Sequence, residues 1–286
     1  MKEFFRKLSR YIPDKPYIMI KWLYRMRYWF NLNNPKTFNE KLQWLKVYYR
    51  RPDFTTMVDK YAVKEYVAKI VGGGKIIPTI GVWKSFDEID FDTLPNQFVL
   101  KCTHDSGGIV ICRDKKQLNY EKAKKRINSS LATNYYYHTR EFPYKDVKPR
   151  IIAEELLTDD KTKDLRDYKF FCFNGVVRMF KIDFDRFTDH HANYYDPNGI
   201  LLPFGEANYP PVYNRKLEMP TKLDEMKILA EKLSSGIPFV RVDFYEVNDK
   251  VYFGELTFFP AAGCSKYTDM SWDKKMGEWL VLPQKY

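Results

Sequence analysis

Apolar residues recur every three or four positions in four segments of the chain, which is the spacing of one face of an α-helix. The first segment opens with Thr37 and Glu40, a capping-box pair. The second runs into three glycines at 72–74, which are typical of a helix end. The pattern predicts helices over residues 37–49, 59–71, 119–134 and 221–235.

Runs rich in β-branched and aromatic residues lie between these helices and predict strands. Asn174 and Gly175 join two of the runs and form a strong hairpin signal. Hairpins outnumber strand–helix–strand crossovers, so we expect an α+β fold with mainly antiparallel sheets and not a doubly wound parallel sheet. The predicted strands are 98–102, 109–112, 150–156, 167–174 and 176–183, followed by a hairpin within 242–260.

The last hairpin has an unusual polar face. A three-residue loop at 248–250 sets Asp243 opposite Glu255 and Arg241 opposite Thr257, while the other face is apolar. A two-residue loop would place the two acids on opposite faces and bury one of them, so the hydrophobic pattern favours the longer loop. Acids opposed across a ladder are destabilising unless a cation lies between them.

Two alternatives explain this polar face. Mg²⁺ is commonly held by one or two carboxylates together with nucleotide phosphates, and Arg241 would then meet phosphate oxygens. A solvated face with an ordinary salt bridge between arginine and a carboxylate has the same sequence pattern.

A second candidate element is Lys101 in an apolar strand, followed by a turn that contains Ser106, Gly107 and Gly108. The glycines allow backbone N–H groups to approach an anion, and Lys101 would point toward the same anion. The turn is not a P-loop, because no G-x-x-x-x-G-K-[ST] motif occurs in the chain. A plain hairpin turn is the alternative.

A third candidate is the strand at 150–156, which ends in Glu154, Glu155 and Leu156. Such a strand end can offer backbone groups to an adenine edge and a carboxylate to its amino group or to the ribose. An exposed strand terminus without a ligand is the alternative.

The composition of the chain indicates its kind of partner, its cysteine chemistry and its location in the cell. The chain has 286 residues, 44% of them hydrophobic, and a formal net charge of +11, which indicates anionic partners. The four cysteines lack C-x-x-C spacing and there are only four histidines, so we expect buried free thiols and no zinc site. No stretch approaches a membrane span of about 20 apolar residues, and we expect a cytoplasmic protein.

Residues 1–33 carry eight Lys or Arg residues and two acids, interleaved with aromatic residues. This segment either packs as short helices on the main domain or contacts an anionic membrane surface. If it does contact a membrane, the protein would lie at the inner face of that membrane.

The three elements in this order resemble the ATP-grasp enzymes. The lysine strand with its glycine flap, the hinge strand and the D…E-x-N metal motif are matched by Lys101 with 106–108, by 151–155, and by Asp243 with 255–257. More narrowly, "NPKTFNEKLQWLK", "DKYAVKEYV", "DYKFFCFNG" and "YFGELTFFPAAG" are similar to the teichuronopeptide-biosynthesis branch, found in bacterial surface-polysaccharide clusters. The similarity covers roughly residues 30–282.

The resemblance implies two subdomains that clasp ATP between antiparallel sheets, with Mg²⁺ as the metal. It divides the chain into a basic aromatic helical segment (1–58), a small subdomain with the flap (59–149) and a large subdomain with hinge and metal motif (150–286). The implied site residues are Lys101 for the α/β phosphates, Ser106, Gly107 and Gly108 as the flap, Glu154, Glu155 and Leu156 for adenine, Asp243, Glu255 and Thr257 for metal, and Arg241 and Lys169 as phosphate or substrate contacts.

Two features depart from the family pattern. Thr257 stands where many ATP-grasp enzymes have an asparagine ligand, so a neutral hydroxyl would take the place of that ligand. The domain that normally precedes the grasp is reduced to a short helical segment. Lys169 also has a second interpretation, in which its stem lies on the core and its amine snorkels to solvent.

The implied activity is a carboxylate–amine ligase that activates a carboxylate as an acyl phosphate. Its partners would be ATP, an acidic sugar or polysaccharide precursor and an amine donor, with no nucleic acid. A glycosyltransferase that uses Asp183 and Asp185 as a D-x-D motif is one alternative, and an ATP-dependent sugar kinase is another.

Overall fold

A computed structural model describes residues 9–158, 165–185 and 188–285. The chain forms two compact units. The small unit is Arg51–Thr158, and the large unit combines Met1–Arg50 with Asp159–Tyr286. The division predicted from the motifs, at 1–58, 59–149 and 150–286, remains a prediction. Of the basic aromatic segment, residues 1–8 lie outside the described part of the chain.

The four predicted helices are present, with ends shifted by a few residues. Thr37 and Glu40 form the capping box, since each side chain accepts a hydrogen bond from the other residue's backbone N–H. Gly72, with φ of +93°, ends the second predicted helix. The α-helices of the described residues are α1 Asp14–Met26, α2 Phe38–Tyr48, α3 Phe54–Val58, α4 Ala62–Val71, α5 Tyr120–Leu131, α6 Tyr136–Thr139, α7 Leu223–Ser234 and α8 Ser271–Trp279.

The strands form two sheets whose neighbouring strands all pair antiparallel, which confirms the predicted α+β class. The small unit has a sheet in the order β1-β4-β2-β3, and the large unit has one in the order β7-β6-β5-β8-β9. The strands are β1 Thr79–Trp83, β2 Phe98–Cys102, β3 Ile109–Cys112, β4 Ile151–Glu155, β5 Asp167–Phe173, β6 Val176–Phe184, β7 His191–Tyr195, β8 Phe239–Val247 and β9 Lys250–Thr257.

The small unit has its core on one face of its sheet. Side chains alternate along β2, so that Phe98, Leu100 and Cys102 enter an apolar cluster with Ala123 and Ile127 of α5. Alternation therefore directs Lys101 to the opposite face. Glu154 of β4 pairs with Lys101 there.

The sheet of the large unit is covered on both faces. Helix α7 lies against β5, β6 and β8, where the Cys172 sulfur approaches the carbonyl oxygen of Ala230 at 3.8 Å. On the other face, the Phe38 ring of α2 lies 4.7 Å from that of Phe239 and 5.5 Å from that of Phe173. Aromatic packing thus fills one end of this second face and leaves its other end to polar side chains.

The prediction for the loop of the last hairpin is wrong, but the pairing of its acids is confirmed. The loop has two residues, Asn248 and Asp249, both with positive φ, the geometry that two-residue hairpins favour. Val247 therefore pairs with Lys250. A bulge at Gly254 then shifts the register by one residue, which returns Asp243 to its place opposite Glu255.

Gly254 should be sensitive to substitution. A Cβ at this position would lie 3.1 Å from the carbonyl oxygen of Asp243 and 3.1 Å from the Tyr245 ring. We expect Gly254→Ala to lower the free energy of unfolding by about 1–2 kcal/mol, measured by urea denaturation. Gly74→Ala is the control, because no atom lies within 4 Å of its added carbon. Equal stability of the two variants would contradict this role of the bulge.

Candidate active site

One guanidinium group joins the three side chains predicted as metal ligands. Arg241 donates from Nε to Oδ1 of Asp243 and from Nη2 to Oδ2, both at 2.7 Å. The same Nη2 lies 2.9 Å from Oε1 of Glu255 and 3.0 Å from Oγ1 of Thr257. The four side chains thus share one sheet face, and Arg241 is the cation that makes the opposed acids compatible with the ladder.

The two acids differ in exposure. The Asp243 side chain is 1% exposed, whereas that of Glu255 is 46% exposed. Lys169 adds a second cation to Asp243, with its Nζ at 2.8 Å from Oδ2. Burial raises the pKa of Asp243, an effect that Arg241 and Lys169 oppose. The arrangement offers a buried acid and an accessible acid side by side.

Lys169 points into an acidic cluster and does not snorkel to solvent. Its side chain is buried, and its Nζ also lies 3.1 Å from Asp167 and 3.6 Å from Asp183. Burial alone would lower the pKa of Lys169, but Asp167 and Asp243 raise it above its usual value. The amine is therefore a permanent positive charge at neutral pH.

This network continues across the sheet through Lys181 and Asp183 to Glu206 and Tyr194, and the last two were not predicted as site residues. Lys181 lies 3.4 Å from Asp183 and 3.1 Å from Glu206, whose carboxylate also accepts a hydrogen bond from the Tyr194 hydroxyl at 2.6 Å. Burial raises the pKa of Glu206, but Lys181 and Tyr194 outweigh it and lower that pKa overall. A signal was present in the sequence, because charged residues two apart in an otherwise apolar strand lie on one face.

The cluster on this face carries excess negative charge. Among the residues that the structure describes, it contains five carboxylates and three cations, a formal net charge of −2 with histidine neutral. An additional cation would therefore be attracted to it. The members are Asp167, Asp183, Asp243, Glu206 and Glu255 with Lys169, Lys181 and Arg241.

The two acids of the D-x-D motif have separate environments. Asp183 is buried between Lys169 and Lys181, whereas Asp185 follows the end of β6 with positive φ and pairs with Arg215. No group of three or more His, Cys, Asp or Glu side chains suited to a metal occurs in the described residues. This arrangement gives the D-x-D interpretation no support.

The small unit holds a second charged cluster around Glu154. Nζ of Lys101 lies 2.5 Å from Oε2 of Glu154, and Nζ of Lys64, from α4, lies 2.5 Å from Oε1. Burial raises the pKa of Glu154, but the two lysines outweigh it and hold the pKa below its usual value. Lys64 was not predicted, since nothing in its helical segment distinguishes it from a surface lysine. The cluster has a formal net charge of +1.

At the strand end proposed for adenine, one backbone group is already hydrogen-bonded within the protein. The N–H of Glu155 donates to the carbonyl oxygen of Pro78 at 3.2 Å, while its side chain is exposed. Leu156 follows the end of β4 and is half-buried. The adenine role of these residues and of Glu154 stays a prediction.

The glycine turn contains two glycines in different environments. Gly108 is buried, its N–H donates to the Asp105 carboxylate at 3.1–3.2 Å, and a Cβ there would lie 2.8 Å from the Cys102 sulfur. Ser106 and Gly107 are exposed, and the space around Gly107 is open. Packing therefore explains Gly108, whereas Gly107 has room beside it for an approaching anion.

A family model described as TupA-like ATPgrasp matches residues 40–281, most of the chain. None of the curated proteins searched matches the chain.

Solved structures give weaker likenesses. The D-alanine–D-alanine ligase of Helicobacter pylori is 17% identical, with a TM-score of 0.40 and coverage of 79% of this chain and 61% of that one. The phosphoribosylamine–glycine ligase of Thermotoga maritima is 15% identical, with a TM-score of 0.43 and coverage of 71% of this chain and 48% of that one. The biotin carboxylase domain of 2-oxoglutarate carboxylase from Hydrogenobacter thermophilus is 15% identical, with a TM-score of 0.41 and coverage of 80% of this chain and 47% of that one. The chain spans about half to three fifths of these structures, and the family match carries the assignment.

The Glu154 cluster predicts a pH-dependent loss of stability. Because the folded pKa of Glu154 lies below its unfolded value, its ionised form stabilises the fold above about pH 4.5 and this contribution is lost as pH falls through the folded pKa. We expect Glu154→Gln to cost about 3 kcal/mol at pH 7 and progressively less toward pH 3, measured by urea unfolding.

The neighbouring exposed acid provides a matched control. Glu155→Gln should change the free energy of unfolding by less than about 0.5 kcal/mol at either pH. A pH-independent cost at Glu154 would contradict the ionic explanation.

Proposed function

The chain belongs to the TupA-like ATP-grasp family, and on that premise we propose that it is an ATP- and Mg²⁺-dependent carboxylate–amine ligase. The observation that carries the proposal is the placement of Asp243, Glu255 and Thr257 on one face of β8 and β9, joined by Arg241. Two carboxylates and a hydroxyl provide hard oxygen ligands, which Mg²⁺ prefers.

The donor set fits a magnesium ion, with one condition. Arg241 contacts both oxygens of Asp243 and one oxygen of Glu255, and Lys169 contacts Oδ2 of Asp243. An entering ion must therefore displace part of the guanidinium group and share Asp243 with Lys169. The net charge of −2 on the surrounding face favours this exchange. We propose Asp243, Glu255 and Thr257 as the ligands. The bound ion would neutralise charge on the phosphate oxygens of ATP.

The residues of the small unit are proposed to bind ATP itself. Lys101 supplies a positive charge for the α/β phosphates, and its cluster with Lys64 and Glu154 carries the net positive charge that an anion requires. Ser106, Gly107 and Gly108 are proposed as the flap. Glu154 and the backbone of 155–156 are proposed for adenine. Gly107 fits its role best, because the space around it is open.

The proposed reaction has two steps. An oxygen of the substrate carboxylate attacks the γ-phosphorus of ATP, the bond to the β–γ bridging oxygen breaks, and ADP leaves. The amine nitrogen then attacks the acyl carbon, phosphate leaves and the nitrogen loses a proton. Lys169 and the displaced guanidinium group of Arg241 would supply positive charge for the transferred phosphoryl oxygens. The two steps need no side-chain nucleophile.

The substrate class comes from the resemblance to the teichuronopeptide branch. We propose that the carboxylate belongs to a uronic acid of a surface-polysaccharide precursor and that an amino acid supplies the amine. The net charge of +11 is consistent with such an acidic substrate. We place the reaction in the cytoplasm, because all four cysteines are buried free thiols.

A screen of substrate pairs for ADP formation tests this function. We expect ADP release to require both a uronate and an amine, and Asp243→Asn to reduce it by about a hundredfold or more. Asp185→Asn is the control and should retain the rate. Circular dichroism checks that both variants are folded. ADP release with a sugar alone would indicate a kinase, and turnover of a nucleotide sugar instead of ATP would contradict the proposal.

Metal binding without nucleotide tests the role of Arg241. Because the guanidinium competes for the same oxygens, we expect Arg241→Gln to bind Mn²⁺ about tenfold more tightly than the wild type, measured by electron paramagnetic resonance. Arg178→Gln, at an exposed position on β6, makes the same change in charge and should leave the affinity unchanged. Equal affinities for the two variants would show that Arg241 does not compete with the metal.

A further inference from the structure

Helix α1 is apolar on two opposite faces. Its inner face consists of Ile18 and Trp22, both buried, and the Trp22 ring lies 4.5 Å from that of Phe30. Ile20 and Tyr24 follow these residues by two positions, which is about 200° around a helix. A helix that only covers a domain would be polar at these outer positions.

The outer positions are well exposed. Ile20 is 60% exposed and Tyr24 is 71% exposed, and they lie one turn apart on the same side of the helix. Tyr11, just before α1, is 85% exposed, and Trp29, just after it, is 61% exposed. We call Ile20 and Tyr24 the outer face of α1, and Tyr11 and Trp29 its flanking aromatic residues. Exposed apolar groups concentrated in one short segment are typical of an interaction site.

The charged residues of the segment that carries the outer face are almost all positive. Asp14 is the sole acid between residues 9 and 33, and its carboxylate pairs with Arg50 at 2.5 Å. The Arg27 guanidinium lies 5.2 Å from the centre of the Tyr24 ring, so a positive charge adjoins the exposed aromatic group. The basic residues of this stretch are Arg10, Lys15, Lys21, Arg25 and Arg27.

We propose that the outer face of α1 docks on the surface of an anionic lipid bilayer. Isoleucine, tyrosine and tryptophan suit the boundary between headgroups and acyl chains, and the surrounding lysines and arginines attract anionic headgroups. Nucleic acid would use the positive charge but would not desolvate Ile20. Helix α1, about 20 Å long, would lie along the surface. None of the helices in the described ranges has the length and apolar character needed to cross a bilayer.

The two interpretations of this segment, packing on the main domain and contact with a membrane, apply to different faces of α1. Ile18 and Trp22 provide the packing on the domain, and Ile20 and Tyr24 remain available for a membrane. This proposal does not depend on the proposed chemistry, because none of its residues belongs to either charged cluster.

Co-sedimentation of the full chain with vesicles tests the proposal. We expect binding to vesicles of phosphatidylglycerol and phosphatidylcholine (1:1), with affinity at least about tenfold lower for pure phosphatidylcholine. Ile20→Ser combined with Tyr24→Ser should weaken binding to the anionic vesicles by about tenfold or more. The matched control combines Ile228→Ser and Tyr213→Ser, which are 55% and 49% exposed elsewhere in the large unit, and should bind as the wild type does.

Fluorescence gives a second readout that does not depend on affinity. Brominated phosphatidylglycerol should quench part of the tryptophan emission of the wild type, and Trp29→Phe should remove this quenching. Equal vesicle binding by the Ile20/Tyr24 variant and its control would overturn the proposal, and so would quenching that survives in Trp29→Phe. A monodisperse dimer of the wild type that only the Ile20/Tyr24 variant disrupts would also overturn it. A loss of duplex DNA binding in that variant without any loss of vesicle binding would overturn it equally.

Discussion

The pairing of Asp243 with Glu255 brings two negative charges together on neighbouring strands, and the sheet tolerates this because Arg241 contacts both. Lys169 adds a second positive charge to the buried acid of the pair. Removing either cation would leave the buried Asp243 carboxylate with one positive partner instead of two, and burial disfavours a carboxylate whose charge is incompletely compensated. We propose that the same charge balance suits the site to a metal, because an entering ion would take over the role that Arg241 now has.

The backbone reaches this arrangement through two local features that compensate each other. The two-residue turn at Asn248 and Asp249 is tight and suits the twist of the strands, but it would set the acids on opposite faces. The bulge at Gly254 inserts one residue and restores the alternation. The two charged clusters also have opposite net charges, positive around Glu154 in the small unit and negative around Asp243 in the large unit. This difference fits a division of labour between anion binding and cation binding.

Much of the fold could be predicted from the sequence, because long periodic segments and hairpin signals are local properties. The helix capped by Thr37 and the helix that stops before Gly72 were predicted in this way. The hairpin at Asn174 and Gly175 was predicted in the same way. Strands β1 and β7 and helix α8 were missed. They are short, and β7 and α8 mix polar residues with apolar ones, so their stability comes from tertiary pairing. The bulge at Gly254 was also missed, since a pattern of polar and apolar residues does not show where one residue is skipped.

The candidate site was predictable in part for the same reason. Arg241, Asp243, Glu255 and Thr257 lie within one hairpin. Their pairing was predicted correctly although the loop was not, because the missed bulge at Gly254 restores the position of Asp243 opposite Glu255. Asp167 lies two residues before Lys169 on the same strand, so this part of the acidic surroundings was a local pattern. The contacts of Lys169 with Asp183 and Asp243, and of Lys64 with Glu154, join segments distant in the chain, and no local pattern reveals them.

Anomalous diffraction from crystals grown with Mn²⁺ and ADP would test the metal site most directly. We predict an anomalous peak about 2.1 Å from a carboxylate oxygen of Asp243 and of Glu255, with the Arg241 side chain moved away from one of them. A peak beside Asp183 and Asp185, or no ordered metal near Glu255 in crystals that clearly contain the nucleotide, would contradict the assignment.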